Sequence, residues 1–269
     1  MPPRFIATDL DGTLLRDDRS VSPRTAAAIR ACRDRGIVMA AVTARPPRVF
    51  DEFTELRDLL DLAICSNGAL VYTFDEPRRV HFRGAMSVPV ARKACAALIA
   101  AIPGVTLAVE TGFVVVGERS YVRTDRIGEA RVVVDSIEDA LVEADQIAKL
   151  LAHVPGGDAD EMLAAATSAE LGDVVVSHSG GRGLLEIAAA GVSKSITLGQ
   201  VCVERGLGAS DVIAFGDMPN DADMLRWATT SYAMANAHPA AKAAATDVTS
   251  SNEEDGVAIV LERILGHHT

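Results

Sequence analysis

The chain has 269 residues, enough for one large domain or two smaller ones, and its 49% hydrophobic and 23% charged residues are ordinary for a soluble globular protein. A formal net charge of −11, from 37 acidic against 26 basic residues, argues against a nucleic-acid polymer or an anionic membrane as partner, since both demand clustered Lys and Arg. No apolar run approaches the roughly 20 residues that span a bilayer. The start, "MPPRFIATDLDG", lacks a signal-type apolar stretch, and Cys32, Cys65, Cys95 and Cys202 form no C-x-x-C pair. Reduced, buried thiols and a cytoplasmic location are expected.

The first third alternates strand and helix. "RFIATDL" predicts a strand, and "SPRTAAAIRACRDRG" a helix with Ser22 as cap, Pro23 in its first turn and Gly36 as its stop. "IVMAAVT" predicts a second strand, "PPRVFDEFTELRDLL" a single helix opened by Pro46 and Pro47, and "LAICSNG" a third strand. Short apolar strands separated by helices imply a parallel sheet covered on both faces. "ALVYTFDEPRRVHF" then predicts a hairpin turning at Asp75, Glu76 and Pro77.

The middle of the chain has a different pattern. It predicts a helix over "SVPVARKACAALIAAI", paired strands over "VTLAVE" and "FVVVGE" turning at Thr111-Gly112, and over "SIEDALVEADQIAKLLAHV" a helix capped by Ser136 whose end can turn into strand. A helix over "DADEMLAAATSAELG" and a strand over "VVVSHS" complete an α+β module. Alternation then resumes with helix "SKSITLGQVCVERGLG", strand "DVIAFGD", helix "NDADMLRWA", strand "SYAMA" and helices over "HPAAKAAAT" and "EEDGVAIVLERIL". The expected fold class is α/β: a doubly wound, Rossmann-like parallel-sheet core, residues 1–83 and 187–269, interrupted by an inserted α+β domain at 84–186.

In an open parallel sheet, ligands bind at the carboxyl ends of the strands. Four such ends carry polar residues: Asp9 with Asp11, Thr43 with Arg45, Asn67 with Gly68, and Asp217 with Asn220 and Asp221, while Lys194 opens a helix of the same domain. Carboxylates, a hydroxyl and an amine converging there suit a divalent cation and a phosphate, and oxygen ligands favour Mg²⁺. "DLDG" alone reads equally well as a polar turn or as two cooperating carboxylates. In the second reading Asp9 is a nucleophile and metal ligand, and Asp11 an acid and base. Arg45 either reaches substrate or pairs with an acid of the core; Asn67 either lines the site or holds a turn. A cation in the first turn of a helix is misplaced against the helix dipole, which suits Lys194 to an anion site. The six histidines show no metal-ligand spacing, although His178 could reach substrate from the inserted module.

Taken together, "DLDGTLL", "VTAR", "GVSKSITL" and "GDMPNDADML", in that order and those contexts, resemble the four motifs of the haloacid dehalogenase (HAD) superfamily. The insert, with "SNGAL" and the late "NEEDGVA", resembles the Cof-type branch (HAD-IIB) with a C2B-type cap; the resemblance covers roughly residues 4–83 and 187–262. It implies a phosphatase acting on a small phosphorylated metabolite through an aspartyl-phosphate on Asp9, with Asp11 as general acid and base. It further implies metal ligation by Asp9, the Asp11 carbonyl and Asp217, with Asp221 supporting the metal directly or through water, and phosphate or substrate contacts from Thr43, Ala44, Lys194 and Asn220. Ala44 departs from the branch's habit of glycine before Arg45. Sugar phosphates lead as expected substrates, then nucleotides and cofactor phosphates, with a phosphomutase or a non-catalytic binding protein as alternatives. A monomer or homodimer is expected, hinged near Gly84 and Gly191.

Overall fold

The structure, a computed structural model, describes residues 3–74, 79–122, 130–180 and 183–266. The chain opens with β1 (Phe5–Thr8), α1 (Pro23–Asp34) and β2 (Val38–Val42). Ser22 caps α1 by accepting from the Thr25 amide, with Pro23 just inside it, as the sequence predicts. The expected single helix over 46–60 is instead two, α2 (Val49–Glu52) and α3 (Thr54–Leu59), broken at Phe53, whose φ of −98° and ψ of 69° are not helical. After β3 (Leu62–Cys65), β4 (Leu70–Thr73) and β5 (Arg79–Phe82) pair antiparallel, so the hairpin is present; its expected turn at Asp75, Glu76 and Pro77 lies outside the described residues.

The middle of the chain holds α4 (Val88–Ala101), β6 (Thr106–Glu110), β7 (Val115–Glu118), β8 (Arg131–Val134), α5 (Ile137–Glu143), β9 (Lys149–His153), α6 (Ala159–Thr167), β10 (Val174–Ser177) and β11 (Leu184–Ala189). The sequence reading has no strand at β8 or β11. The expected domain boundary before residue 187 falls inside β11, which stays paired to β9 and β10 along its length. Sheet membership therefore changes only after Ala189. The return is α7 (Lys194–Glu204), β12 (Val212–Gly216), α8 (Ala222–Trp227), β13 (Thr230–Ala233), α9 (Pro239–Ala244), β14 (Asp247–Val248) and α10 (Gly256–Leu265).

Among the described residues two sheets form. The first runs β14-β13-β12-β1-β2-β3-β4-β5; it is parallel from β14 to β3, with the β4–β5 hairpin antiparallel at its edge. Consecutive residues Phe5, Ile6 and Ala7 are all fully buried, so both faces of the central strand are covered. One helix group, α1 with α3 and α10, and another, α7 with α8 and α9, supply that cover. Because β12, β1, β2 and β3 are mutually parallel, their C-terminal ends lie at one edge.

The second sheet runs β10-β11-β9-β6-β7-β8. One face buries Leu107, Val109, Leu150, Ala152, Leu185 and Ile187 in a separate apolar core with the residues of α4, α5 and α6. The alternation of strand side chains sends Glu110, Lys149 and Glu186 to the opposite face, where Ala108, Leu151 and Leu184 form a smaller cluster. The two chain crossings between the sheets lie side by side: a Cβ on Gly84 would stand 2.3 Å from Val192, so only glycine allows that approach.

Candidate active site

The C-terminal edge of the first sheet gathers the acids. Asp9 follows β1, its amide donating to the Phe215 carbonyl of the neighbouring β12 at 3.0 Å. Asp217 follows β12 itself, and Asp221 ends a short 3₁₀ turn four residues on. Both oxygens of Asp221 are engaged: Oδ2 accepts the Asp217 and Met218 amides at 3.0 Å each, and Oδ1 accepts Lys194 Nζ at 2.6 Å. Lys194, the first residue of α7, also donates to Asp9 Oδ1 at 2.7 Å. Thr13 donates to Asp217 Oδ1 at 2.8 Å. Gly12, at a φ of +74°, makes room for this, because a Cβ there would meet Asp217 Oδ2 at 2.4 Å.

Asp9, Asp217 and Asp221 are buried, and one oxygen from each lies within 4.8 Å of the others. Burial pushes the Asp9 carboxyl up to about 7, Lys194 pulling against Asp221. Burial, with Asp9 and Asp221 beside it, pushes Asp217 to about 8. Burial pulls the Lys194 ammonium down, but Asp221 and Asp9 outweigh it and leave the lysine above its ordinary value. Three buried carboxylates thus face one ammonium. The deficit of positive charge, and a donor set made of oxygen alone, fit a hard divalent cation held by Asp9, Asp217 and Asp221.

On the β2 side, the Thr43 amide donates to the Ile64 carbonyl at 2.8 Å, and its Oγ1 accepts the Arg45 amide at 3.1 Å. Thr43 is 1% exposed, and it caps no helix. The Arg45 guanidinium holds the Asp11 carboxylate at two points, each 2.5 Å. Arg45 therefore takes the second of its two expected parts, pairing with an acid of the core. The Asp11 side chain is half exposed and stands at the mouth, apart from the buried acids. Asn67 holds a turn at a φ of 55° and also faces the site, its Oδ1 accepting Asn220 Nδ2 at 3.1 Å. A Cβ on Gly68 would stand 2.4 Å from the Ser193 carbonyl, so the close seating of α7 requires glycine there.

The structure thus brings Asp9, Asp217, Asp221 and Lys194 together, with Asp11, Thr43, Ala44, Arg45, Asn67 and Asn220 around them. His178 is buried on Asp160, 3.1 Å away, and against the ring of His238, whose amide donates to the Asp217 carbonyl at 2.8 Å. Thr13 and Asn236, which donates to the Gly12 carbonyl at 2.8 Å, brace the site and are absent from the sequence reading. Thr13 sits in the same "DLDGTLL" stretch, where its even spacing from Asp9 and Asp11 is the available signal.

Residues 6–261 match the family described as haloacid dehalogenase-like hydrolase. The chain belongs to that family and, within it, to the Cof-type branch. Among curated proteins it is similar to 5-amino-6-(5-phospho-D-ribitylamino)uracil phosphatase YitU of Bacillus subtilis, 28% identical over 97% of each chain. A solved structure from Streptococcus mutans shares the fold at a TM-score of 0.84 and 24% identity, covering 98% of this chain and 99% of that one. The structure of a HAD subclass IIB sugar phosphatase does so at 0.80 and 22%, covering 98% of this chain and 100% of the other. No helix among the described residues is long and apolar enough to cross a membrane.

The charge deficit gives a pH-dependent result. In EDTA, Asp9 and Asp217 titrate in the folded protein near 7 and 8, far above their ordinary 3.8. Between about pH 4 and 8 the folded state therefore binds more protons than the unfolded one, and this site's share of stability falls as pH rises. Asp217→Asn removes one such group, so in EDTA its melting temperature should rise relative to wild type as pH goes from about 5 to 8. A difference between the two proteins that does not change with pH would refute the assignment.

Proposed function

We propose that this protein is a Mg²⁺-dependent phosphatase that hydrolyses a small phosphorylated metabolite through an aspartyl-phosphate on Asp9. The observation that carries the reading is the buried Asp9 carboxylate, held 2.7 Å from Lys194 beside Asp217 and Asp221 at the carboxyl edge of a parallel sheet. Asp9, Asp217, Asp221 and the carbonyl of Asp11 are the groups that would hold Mg²⁺. When bound, the ion supplies positive charge against the phosphate and lets an anionic carboxylate approach it.

The residues divide the remaining work. An Asp9 oxygen attacks phosphorus in line, and the bond from phosphorus to the leaving oxygen breaks as Asp11 gives that oxygen a proton. Asp11 then takes a proton from water as the water oxygen attacks phosphorus, which frees Asp9 and releases inorganic phosphate. Lys194, Thr43 and the amides around Ala44 hold the phosphate oxygens while charge spreads over them. Asn220 and Asn67, bonded to each other, border the substrate. Arg45 holds Asp11 at the mouth and yields it to the incoming leaving group.

The second sheet, residues 84–189, is read as a cap that excludes bulk water from this edge. Sugar phosphates are the favoured substrates, then nucleotides and phosphorylated cofactors or their precursors. The ribityl phosphate in the name of YitU's substrate is of the same hydroxyl-rich kind. Phosphate release from a panel of these compounds, in Mg²⁺ and in EDTA, tests the reading. Release should require Mg²⁺ and be fastest on a sugar phosphate. Label exchange between two sugar phosphates without net release would identify a mutase instead.

A further inference from the structure

The segment "ARPPR", residues 44–48, joins β2 to α2 and carries Arg45, which holds Asp11. Two consecutive prolines fix φ over its centre, so the segment moves as a stiff piece. It is gripped at both ends by the second sheet. At one end the Ala44 carbonyl accepts Lys149 Nζ at 2.7 Å. At the other, Arg48 donates to both oxygens of Glu110, at 2.7 and 2.8 Å, and the Gly112 amide steadies that carboxylate at 2.8 Å. Lys149 and Glu110 are directly opposite each other on β9 and β6, and Lys149 is also ion-paired with Glu186 on β11.

These three charged residues are nearly fully buried, at 1% exposure for Lys149 and Glu110 and 2% for Glu186. Buried ion pairs are seldom the most stable choice; apolar side chains of similar volume commonly hold a sheet as well or better. The apolar core that holds this sheet together lies on its other face. Between the two grips, the Arg45 amide bonds Thr43 Oγ1 and its carbonyl accepts the Ser66 amide.

We propose that Lys149 and Glu110, with Glu186 as counter-ion to the lysine, are positioning residues: when the second sheet is seated on the first, they lock residues 44–48 in the register that aims Thr43 and Arg45 at the reacting groups. The proposal rests on the reading of Thr43 and Asp11 given above. The grip acts on the pocket common to every phosphomonoester, so it governs turnover of all substrates alike and leaves discrimination between leaving groups to other residues.

The test uses paired substitutions that remove both charges of a pair, Lys149→Met with Glu186→Leu and, separately, Arg48→Met with Glu110→Leu. Each is assayed with Mg²⁺ on p-nitrophenyl phosphate and on a sugar phosphate, beside thermal melts. Misplacing a phosphate-binding turn by a fraction of an ångström should lower kcat roughly tenfold to a hundredfold on both substrates equally. KM and the melting temperature should change little, and Lys149→Arg, which keeps the cation, should recover most of the loss. Unchanged kcat in either folded variant would overturn the proposal. So would a loss confined to one substrate, because Lys149 or Glu110 would then touch the leaving group. If one pair fails to fold, the other carries the same expectation. A wild-type protein inactive on both substrates, and indistinguishable from Asp9→Asn, would overturn the reading of the site and this proposal with it.

Discussion

Replacing Asp9 by asparagine should lower kcat for phosphate release on the order of a thousandfold or more, because the amide keeps the shape of the side chain but is no nucleophile toward phosphorus. The fold should survive. The amide oxygen can still accept Lys194 Nζ, as Asp9 Oδ1 does at 2.7 Å, and Lys194 keeps Asp221 as its second partner. Acid quenching with labelled substrate separates the steps: wild type should retain label on the protein and the variant none. A variant keeping more than about a tenth of wild-type kcat would end the assignment of Asp9 as nucleophile.

Lys194→Met should damage both stability and activity. Its ammonium, 1% exposed, sits 2.7 Å from Asp9 and 2.6 Å from Asp221. Removing one partner of such a buried pair leaves uncompensated charge and costs about 3–5 kcal/mol. The sign of the pH dependence follows from the carboxyls. Asp9 already titrates near 7 with the lysine present and moves higher without it, so at low pH a proton replaces the missing cation. The loss of melting temperature should be smallest near pH 5 and largest near pH 8, in EDTA, where the carboxylates are ionised. A deficit of the same size at both ends of that range would show that Lys194 contributes by packing and not by charge.

The chemistry at the sheet edge is legible in the sequence, for a physical reason. Asp9, Asp11, Thr43, Asp217 and Asp221 all follow short apolar strands, and a parallel sheet brings all such strand ends to one edge. Lys194 is equally readable, as a cation where the helix dipole disfavours one. The break at Phe53 is not, because "DEFTELR" keeps helical spacing on both sides and nothing local marks the turn. Strands β8 and β11 are obscured differently. "RVVV" and "LLEIAA" are short apolar runs whose partners lie far along the chain, and a carboxylate in the second disguises a strand with a polar face.

The grip on residues 44–48 is the least legible feature of all. Glu110 ends a strand that otherwise reads as core, and Lys149 begins one that the sequence extends from a helix. Their opposition depends on the register of β6 against β9, and their targets, Ala44 and Arg48, lie some hundred residues earlier in the chain for Lys149 and sixty for Glu110. Local pattern carries no information about which groups will meet across two sheets.

The order of the first sheet bears on how the chain assembles. Its central strand, β1, pairs with β2 nearby but with β12 only across Phe5–Val212, so half of the sheet cannot form until the whole intervening stretch has been made. The second sheet closes within one continuous stretch of chain, and its apolar core is complete once β11 is in place. Contacts so distant in sequence carry a large chain-closure entropy before they return any enthalpy. During synthesis the inserted unit can therefore consolidate first, while β1 to β5 wait with one long edge unpaired. The carboxylates of Asp9 and Asp217 can meet only after β12 has been made, so the site is assembled after the inserted unit.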